Sequence, residues 1–189
     1  MPMIRECVVT TIDADGKPHL APLGLIENGA HWIIAPFRPS TTLSNLERRP
    51  LATASFVDDV RIFAGLVTGK KDWPLTNVAD WPAPRLNAAL AHAPLEVAHI
   101  DADDTRPRFF CRMGEAVAHR PFLGMNRARA AVLEACILAT RLHMLPRDKI
   151  ESELAYLRIA IDKTAGADEL EAFALVNEKI LAHPQLTQA

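Results

Sequence analysis

The chain is poor in the residues that mark several common kinds of protein. It has three cysteines in 189 residues, Cys7, Cys111 and Cys136, and no two of them form a CxxC pair. This spacing disfavours a disulfide framework or a cysteine zinc site and favours a reducing compartment. No apolar run approaches the roughly 20 residues needed to cross a bilayer, and the N-terminus lacks a signal-peptide layout. We expect a cytoplasmic protein with no membrane partner.

The chain also lacks an excess of charge of either sign. Its 21 basic residues and 23 acidic residues give a formal net charge of -2. No long basic run is present, which disfavours a general nucleic-acid binder. Any anion that the protein binds should therefore be small and held locally.

The motifs of metal sites and hydrolytic sites are missing as well. The seven histidines show no HxxxH or HExxH arrangement, so no metal is predicted. No Ser-His-Asp or Cys-His set can be assembled from sequence order. The segment GLVTGKK is similar to a P-loop, but its glycine spacing is one residue short and Lys71 replaces the required Ser or Thr. The catalytic residues stay unknown.

The first half of the chain has the pattern of strands. Short apolar runs rich in Val, Ile and Thr are separated by turn-forming residues. The predicted strands are 4–12, 20–26, 31–35, 51–57 with a continuation over 60–66, 95–100 and 106–117. One helix is predicted over 40–48, ending before Pro50. Residues 69–94 lose the strand pattern and are predicted to be an excursion from the sheet, not a linker, with a short helix over 85–93. This segment contains Trp73 and Trp81.

The last third of the chain has the pattern of helices. Apolar residues recur at helical spacing over 126–145 and 150–164, and a third helix follows Gly166 with a capping box formed by Asp168 and Glu171. The chain is therefore predicted to be α+β, with an antiparallel sheet or barrel over 1–120 and a lobe of three helices over 121–189.

The segment FRPSTTLSNL, from Phe37 to Leu46, has two readings. Arg38, Ser40, Thr41 and Thr42 stand together where the predicted helix begins. They form either an ordinary capping turn or a pocket for a phosphate, because the unpaired N–H groups of a helix start attract anions. From the residues alone, capping is the stronger reading.

The surrounding segments favour the phosphate. HLAPLG at 19–24, followed by APFRPSTTLSNL at 35–46, resembles the paired motifs of FMN-binding split β-barrels of the flavoredoxin and flavin-reductase kind. The resemblance implies FMN as cofactor, and it implies two groups of contact residues. Those beside the flavin ring would be His19, Ala21, Pro22, Leu23 and Ala35. Those at the phosphate would be Arg38, Ser40, Thr41, Thr42 and Asn45. Two departures stand out: His19 occupies an Asn-like place, and Ser40-Thr41 replaces Lys-Asp, which moves the positive charge to Arg38.

The resemblance is closer to an uncharacterised family of archaeal and bacterial split-barrel proteins that carry FMN and end in a helical domain. FVDDV at 56–60, the helical segment at 125–142 and IDKTAGADELEAF at 161–173 all look like segments of that family. It implies an antiparallel split β-barrel of the FMN-binding type and a homodimer with the flavin cleft between two chains. The loop of Trp73 and Trp81 would supply apolar contact surface to that dimer.

Three functions follow from this resemblance. The leading one is a flavin-dependent oxidoreductase that acts on a small molecule, because FMN itself carries the redox chemistry. The alternatives are a non-catalytic FMN carrier or regulatory module, and a pterin-linked protein of one-carbon metabolism. Two further features have open readings. The first is a set of polar side chains that line the flavin cleft or a dimer contact, or else form an exposed salt-bridged face: Asn126, Arg127, Arg129, Glu134 and Arg141. The second is Asp58-Asp59, which is either a paired-carboxylate site or, as the stronger reading, a solvated turn after a strand.

Overall fold

The computed structural model describes residues 2–187, without the side chains of 185 and 187. The chain forms two compact units. One consists of the residues up to 57 together with 72–122, and the other consists of 58–71 together with the residues from 123 onward. The division into 1–120 and 121–189 stays a prediction, and the structure adds that residues 58–71 belong to the helical unit.

The first unit contains nine strands and one helix. The strands are β1 (Ile4–Ile12), β2 (Pro18–Asn28), β3 (His31–Ile34), β4 (Leu51–Phe56), β5 (Leu75–Val78), β6 (Trp81–Leu86), β7 (Ala91–Asp101), β8 (Arg108–Met113) and β9 (Val117–Ala118). Helix α1 (Thr41–Arg48) lies between β3 and β4 in the chain. Seven of the strands form one sheet in the order β4-β1-β2-β3-β8-β7-β9, and a second pairing, of β7 with β4, closes the first six into a barrel. Every pairing is antiparallel, so the predicted antiparallel split barrel is confirmed.

The inside of the barrel is a continuous apolar core. Inward-facing side chains alternate along each strand, as the two-residue period requires, and Val9, Leu25, Ile34, Leu95 and Phe109 are fully buried there. Helix α1 adds two apolar side chains to the same core, Leu43 and Leu46. The helix is therefore part of the barrel packing and its position is fixed by burial.

Strand β6, which pairs with β5, packs against the outer side of β4 and β1. Strand β6 lies on β4, where the Thr53 hydroxyl donates to the Ala83 carbonyl at 2.6 Å and the Leu86 N–H donates to the Ser55 hydroxyl at 3.0 Å. The indole N–H of Trp81 donates to the Ala52 carbonyl at 3.1 Å. The predicted short helix over 85–93 is wrong, because this stretch ends β6 and begins β7. The hydrogen-bond ladder to β4 outweighs the helix propensity of its alanines.

The second unit is built from helices. They are α2 (Val60–Thr68), α3 (Arg127–Ala139), α4 (Arg147–Thr164) and α5 (Ala167–Leu181), with short helical turns at Leu142–Met144 and Pro184–Thr187. The predicted strand continuation over 60–66 is wrong, because these residues form α2. Asp59 caps its start by accepting from the Arg61 N–H at 3.1 Å, and Gly69 ends it with a φ of 107°. Within the described range, no helix is long and apolar enough to span a bilayer.

Ion pairs join the helices of this unit. The Arg129 guanidinium binds both Asp58 and the buried Glu169, and Arg61 binds both Asp59 and Asp168. The carboxylates of Asp58 and Asp59 are therefore engaged by arginines and not simply solvated. The predicted capping box of Asp168 and Glu171 is also wrong: α5 begins after Gly166, whose N–H donates to the Glu169 carboxylate at 2.9 Å.

A pair of histidines links β7 to the segment after β9. The Nδ1 atom of buried His92 and the Nε2 atom of His119 are 2.8 Å apart, so one ring donates to the other. Burial lowers the pKa of both imidazoles, and the positive charge of Arg85 lowers both further. The neighbouring His119 also lowers the pKa of His92. The folded chain therefore favours the neutral form of each ring.

This pair should make the fold sensitive to mild acid. Because the pKa of each ring is lower in the folded chain, protonation favours the unfolded chain, and stability should fall as the pH drops below the ordinary histidine value of about 6.5. His92→Gln keeps a hydrogen-bonding side chain that does not titrate. We expect the loss of melting temperature between pH 7.5 and pH 5 to be smaller in this variant. An equal loss in both proteins would contradict the assignment.

Candidate functional site

The candidate site lies where β3 ends and α1 begins. We call residues 35–40 the β3–α1 loop. Ser40 is the N-cap of α1: its backbone is extended, with φ -155° and ψ 153°, and its hydroxyl accepts from the Leu43 N–H at 3.3 Å. The first intrahelical bond runs from the Ser44 N–H to the Ser40 carbonyl at 3.1 Å. The amides of Thr41 and Thr42 precede that bond, so they are donors for which the helix itself has no acceptor.

The helix start is anchored to the barrel by a buried polar contact. The Asn45 amide donates to the Thr11 hydroxyl of β1 at 3.0 Å, and both side chains are buried. Thr42 is 3% exposed, one turn before Asn45. Two of the predicted phosphate residues thus face inward, and Asn45 in particular anchors α1. Thr41 is exposed at the helix start, where its side chain is accessible to a ligand.

Arg38 makes a contact that the sequence did not predict. Its guanidinium lies 2.9 Å from the Glu47 carboxylate, and the two side chains are 45% and 46% exposed. Glu47 is six residues beyond Thr41, which corresponds to about 9 Å along a helix axis. The Arg38 guanidinium therefore already has an acidic partner in the second turn of α1.

A second arginine contacts the β3–α1 loop from the segment between β7 and β8. The Arg106 Nε–H donates to the Ala35 carbonyl at 2.9 Å, and the guanidinium carbon lies 4.8 Å from the centroid of the Phe37 ring. The Arg38 N–H donates to the Thr105 carbonyl at 2.8 Å. Sequence reasoning missed Arg106, because only the β3–β8 pairing brings it beside residues about 70 positions earlier.

An aspartate fixes the backbone around Arg106. The Asp103 carboxylate accepts from the Arg106 N–H at 2.6 Å and from the Thr105 N–H at 2.8 Å. The hydrogen bond from the Arg106 N–H contributes most to lowering the pKa of Asp103, and the one from the Thr105 N–H lowers it further. The carboxylate therefore stays ionised and holds the turn, and it engages the backbone of Arg106 rather than its guanidinium.

The predicted ring-contact residues of β2 divide between the two faces of the strand. Ala21 lies opposite Val9, and Leu23 lies opposite Cys7, so both share the inner face with these core residues. Pro22 is on the outer face. His19 lies opposite Thr11, the residue that anchors α1. The structure thus brings His19 near the helix that follows Ala35 and does not place all four β2 residues on one surface.

The cysteines and the metal-ligating residues offer no alternative site. All three thiols are free and buried, and burial raises the pKa of each, to about 12 for Cys111 and Cys136. They are therefore inert as nucleophiles at neutral pH. Across residues 2–187, no group of three His, Cys, Asp or Glu side chains could hold a metal ion.

The polar residues in α3 and beside its two ends make different contacts within the second unit. Asn126 caps the helix by accepting from the N–H groups of Ala128 and Arg129. Arg129 belongs to the ion pairs described above. Glu134 and Arg141 line a groove of about 410 Å³ between α3 and α4.

Comparison with known proteins identifies the family. The model described as the N-terminal domain of a protein of unknown function (DUF447) matches residues 5–120, and a second DUF447 model matches residues 126–178. The chain belongs to the DUF447 family. Comparison with curated proteins finds no match.

Solved structures agree with this assignment. An FMN-bound DUF447 protein from Methanosarcina mazei is 22% identical, covers 95% of this chain and 96% of its own, and has a TM-score of 0.81. A 2-nitrobenzoate 2-nitroreductase from Pseudomonas fluorescens is 20% identical over 63% of this chain and 66% of its own, with a TM-score of 0.52. An FMN-binding protein from Thermus thermophilus is 14% identical over 62% and 71%, with a TM-score of 0.51. The resemblance to a split-barrel family with a C-terminal helical domain is confirmed.

The N-cap contact can be tested by itself. Ser40→Ala removes the acceptor for the Leu43 N–H, and we expect it to lower the free energy of unfolding by about 1 kcal/mol. Ser44→Ala is the matched control, because the exposed Ser44 hydroxyl donates to the Ser40 carbonyl at 3.3 Å and is not the acceptor that caps the helix. Denaturant unfolding measures both. Equal stabilities of the two variants would show that the Ser40 side chain does not cap α1.

Proposed function

We propose that this protein binds FMN, with the phosphate at the start of α1. The observation that carries the proposal is the pair of helix-start amides of Thr41 and Thr42, held at the end of β3 by the Ser40 cap and the Asn45 anchor. Helix starts bind phosphates because their N–H groups and partial positive charge converge on the ligand. The FMN-bound DUF447 protein supports the choice of ligand, since it shares this fold over nearly the whole chain.

The residues present suit a phosphate with two negative charges. The segment from Ala35 to Thr42 contains no acidic residue and provides three hydroxyl groups. Thr41 is exposed at the helix start, and Ser40 is half-buried at the cap. The flavin ring would lie beside the segment of β2 that contains His19, Ala21, Pro22 and Leu23, and beside Ala35 in the β3–α1 loop.

We propose a flavin-dependent oxidoreductase that acts on a small molecule. Bound FMN would supply the hydride and electron chemistry, and the protein would bind it, orient it and set the charge around it. Such a division of tasks does not require an acid-base pair in the protein, and the buried thiols have no part in it. Three free cysteines also fit the reducing cytoplasm.

One experiment distinguishes an enzyme that turns over from a protein that only carries FMN. The flavin-loaded protein is mixed with NADH or NADPH under anaerobic conditions, and the visible absorbance of the flavin is followed. We expect bleaching without any added reductase. A carrier or regulatory module would keep its colour until a second protein reduced it.

The phosphate position leads to a sharper prediction. Thr41→Pro removes one amide donor at the first helical position, where proline is tolerated after an extended residue such as Ser40. Loss of a hydrogen bond to a charged group should weaken FMN binding about 10- to 100-fold. Riboflavin, which has no phosphate, should bind the variant and the wild type equally.

Thr41→Ala is the matched control, because it removes the same hydroxyl and keeps the amide. Flavin fluorescence measures binding, and thermal melting checks that α1 is intact. Equal affinity of the wild type for FMN and riboflavin would defeat the phosphate site.

We also propose that the protein is a homodimer. Symmetric dimers are the commonest oligomers, and apolar side chains that are almost fully exposed in the single chain, Leu123 at 89% and Met125 at 92%, offer contact surface. The indole N–H of Trp81 is already bonded within its own barrel, so this tryptophan could offer only its ring. Light scattering at micromolar concentration should give twice the mass of the chain. A monomer at that concentration would count against the dimer.

A further inference from the structure

Arg106 is fixed at the β3–α1 loop by more than one contact. Its Nε–H donates to Ala35, its guanidinium packs on Phe37, and its backbone N–H is held by Asp103. No carboxylate lies within ion-pair distance of it anywhere in the described part of the chain. The positive charge of Arg106 is therefore positioned by neutral groups and is not neutralised by an acid.

Most N–H donors of the Arg106 guanidinium are available to an anion. Arginine has five N–H donors in a planar fork, and Ala35 occupies only the one on Nε. The two terminal nitrogens remain for bidentate recognition of phosphate oxygens. Because the carbonyl and the ring already orient the guanidinium, less side-chain freedom is lost when it binds an anion.

Arg38 is in the opposite situation. Its guanidinium is paired with Glu47, about two turns along α1, and would have to leave that carboxylate before it could meet a phosphate at the helix start. An exposed ion pair of this kind is weak, so the exchange costs little. It nevertheless leaves the Glu47 carboxylate without its ion-pair partner.

We propose that Arg106 supplies the positive charge for the FMN phosphate, the task that the sequence assigned to Arg38. The inference rests on the proposed FMN site at the start of α1. It deepens that site by making it a contact between two segments, the β3–α1 loop with the first turn of α1 and the segment between β7 and β8. FMN binding would then hold these two segments together.

The test compares arginines that differ in their surroundings. Arg106→Ala should weaken FMN binding about 10- to 100-fold, as expected for loss of a charge-assisted contact, and should leave riboflavin binding within about twofold. Arg106→Lys keeps the charge without the fork and should fall between this variant and the wild type. Arg108→Ala is the matched control, because Arg108 also packs on a phenylalanine, Phe110, in the same strand region. It should bind FMN as the wild type does.

Arg38→Ala decides which arginine contacts the phosphate. We expect it to change FMN affinity by less than about threefold. A larger loss in Arg38→Ala than in Arg106→Ala would overturn the proposal and return the contact to Arg38. Equal weakening of FMN and riboflavin by Arg106→Ala would overturn it too, since Arg106 would then only support the loop. Failure of the wild type to prefer FMN over riboflavin would reject the phosphate site itself, and with it this assignment.

Discussion

Pairing of β4 with β7 is the constraint on which the barrel depends. Six consecutive residue pairs, from Leu51 opposite Glu96 to Phe56 opposite Ala91, join the first and last of the six barrel strands. Without this ladder both strands would be open edges, with unpaired backbone groups and an apolar inner face exposed to water. Closure also sets the position of α1, because the chain leaves that helix and enters β4 within three residues. The geometry of the candidate site is thus a consequence of barrel closure.

The anchor of α1 combines apolar and polar contacts with different purposes. Leu43 and Leu46 supply the burial that holds the helix on the core. The hydrogen bond from Asn45 to Thr11 adds direction, because a buried amide is satisfied only when its partner lies at the right distance and angle. A helix held only by apolar contacts could rotate or slide slightly about its axis. The polar contact fixes where its first amides point, and a ligand site needs that fixed direction.

The sequence predicted those parts of the fold whose signals are local. Strands β1 to β4 and helix α1 follow from apolar runs, turns and Pro50, and the helical last third follows from its period. Helix α2 was missed because a short apolar run does not distinguish a strand from a helix, although Asp59 and Gly69 mark its two ends. The start of β7 was missed because its alanines take their structure from β4. Arg106 was out of reach for the same reason: its position depends on a distant strand pairing that no local pattern encodes.

The path of the chain between the two units has a consequence for synthesis. Helix α2 is made before half of the barrel, yet it packs against α3 and α5, which are the product of the last third of the chain. During translation its apolar side, including Ile62 and Phe63, has nothing to pack against until α3 and α5 have been synthesised. The barrel can be completed once β9 has emerged, whereas the helical unit cannot close until α5 has left the exit tunnel. The first helix of that unit to be made is therefore the one whose apolar side stays exposed for longest during synthesis.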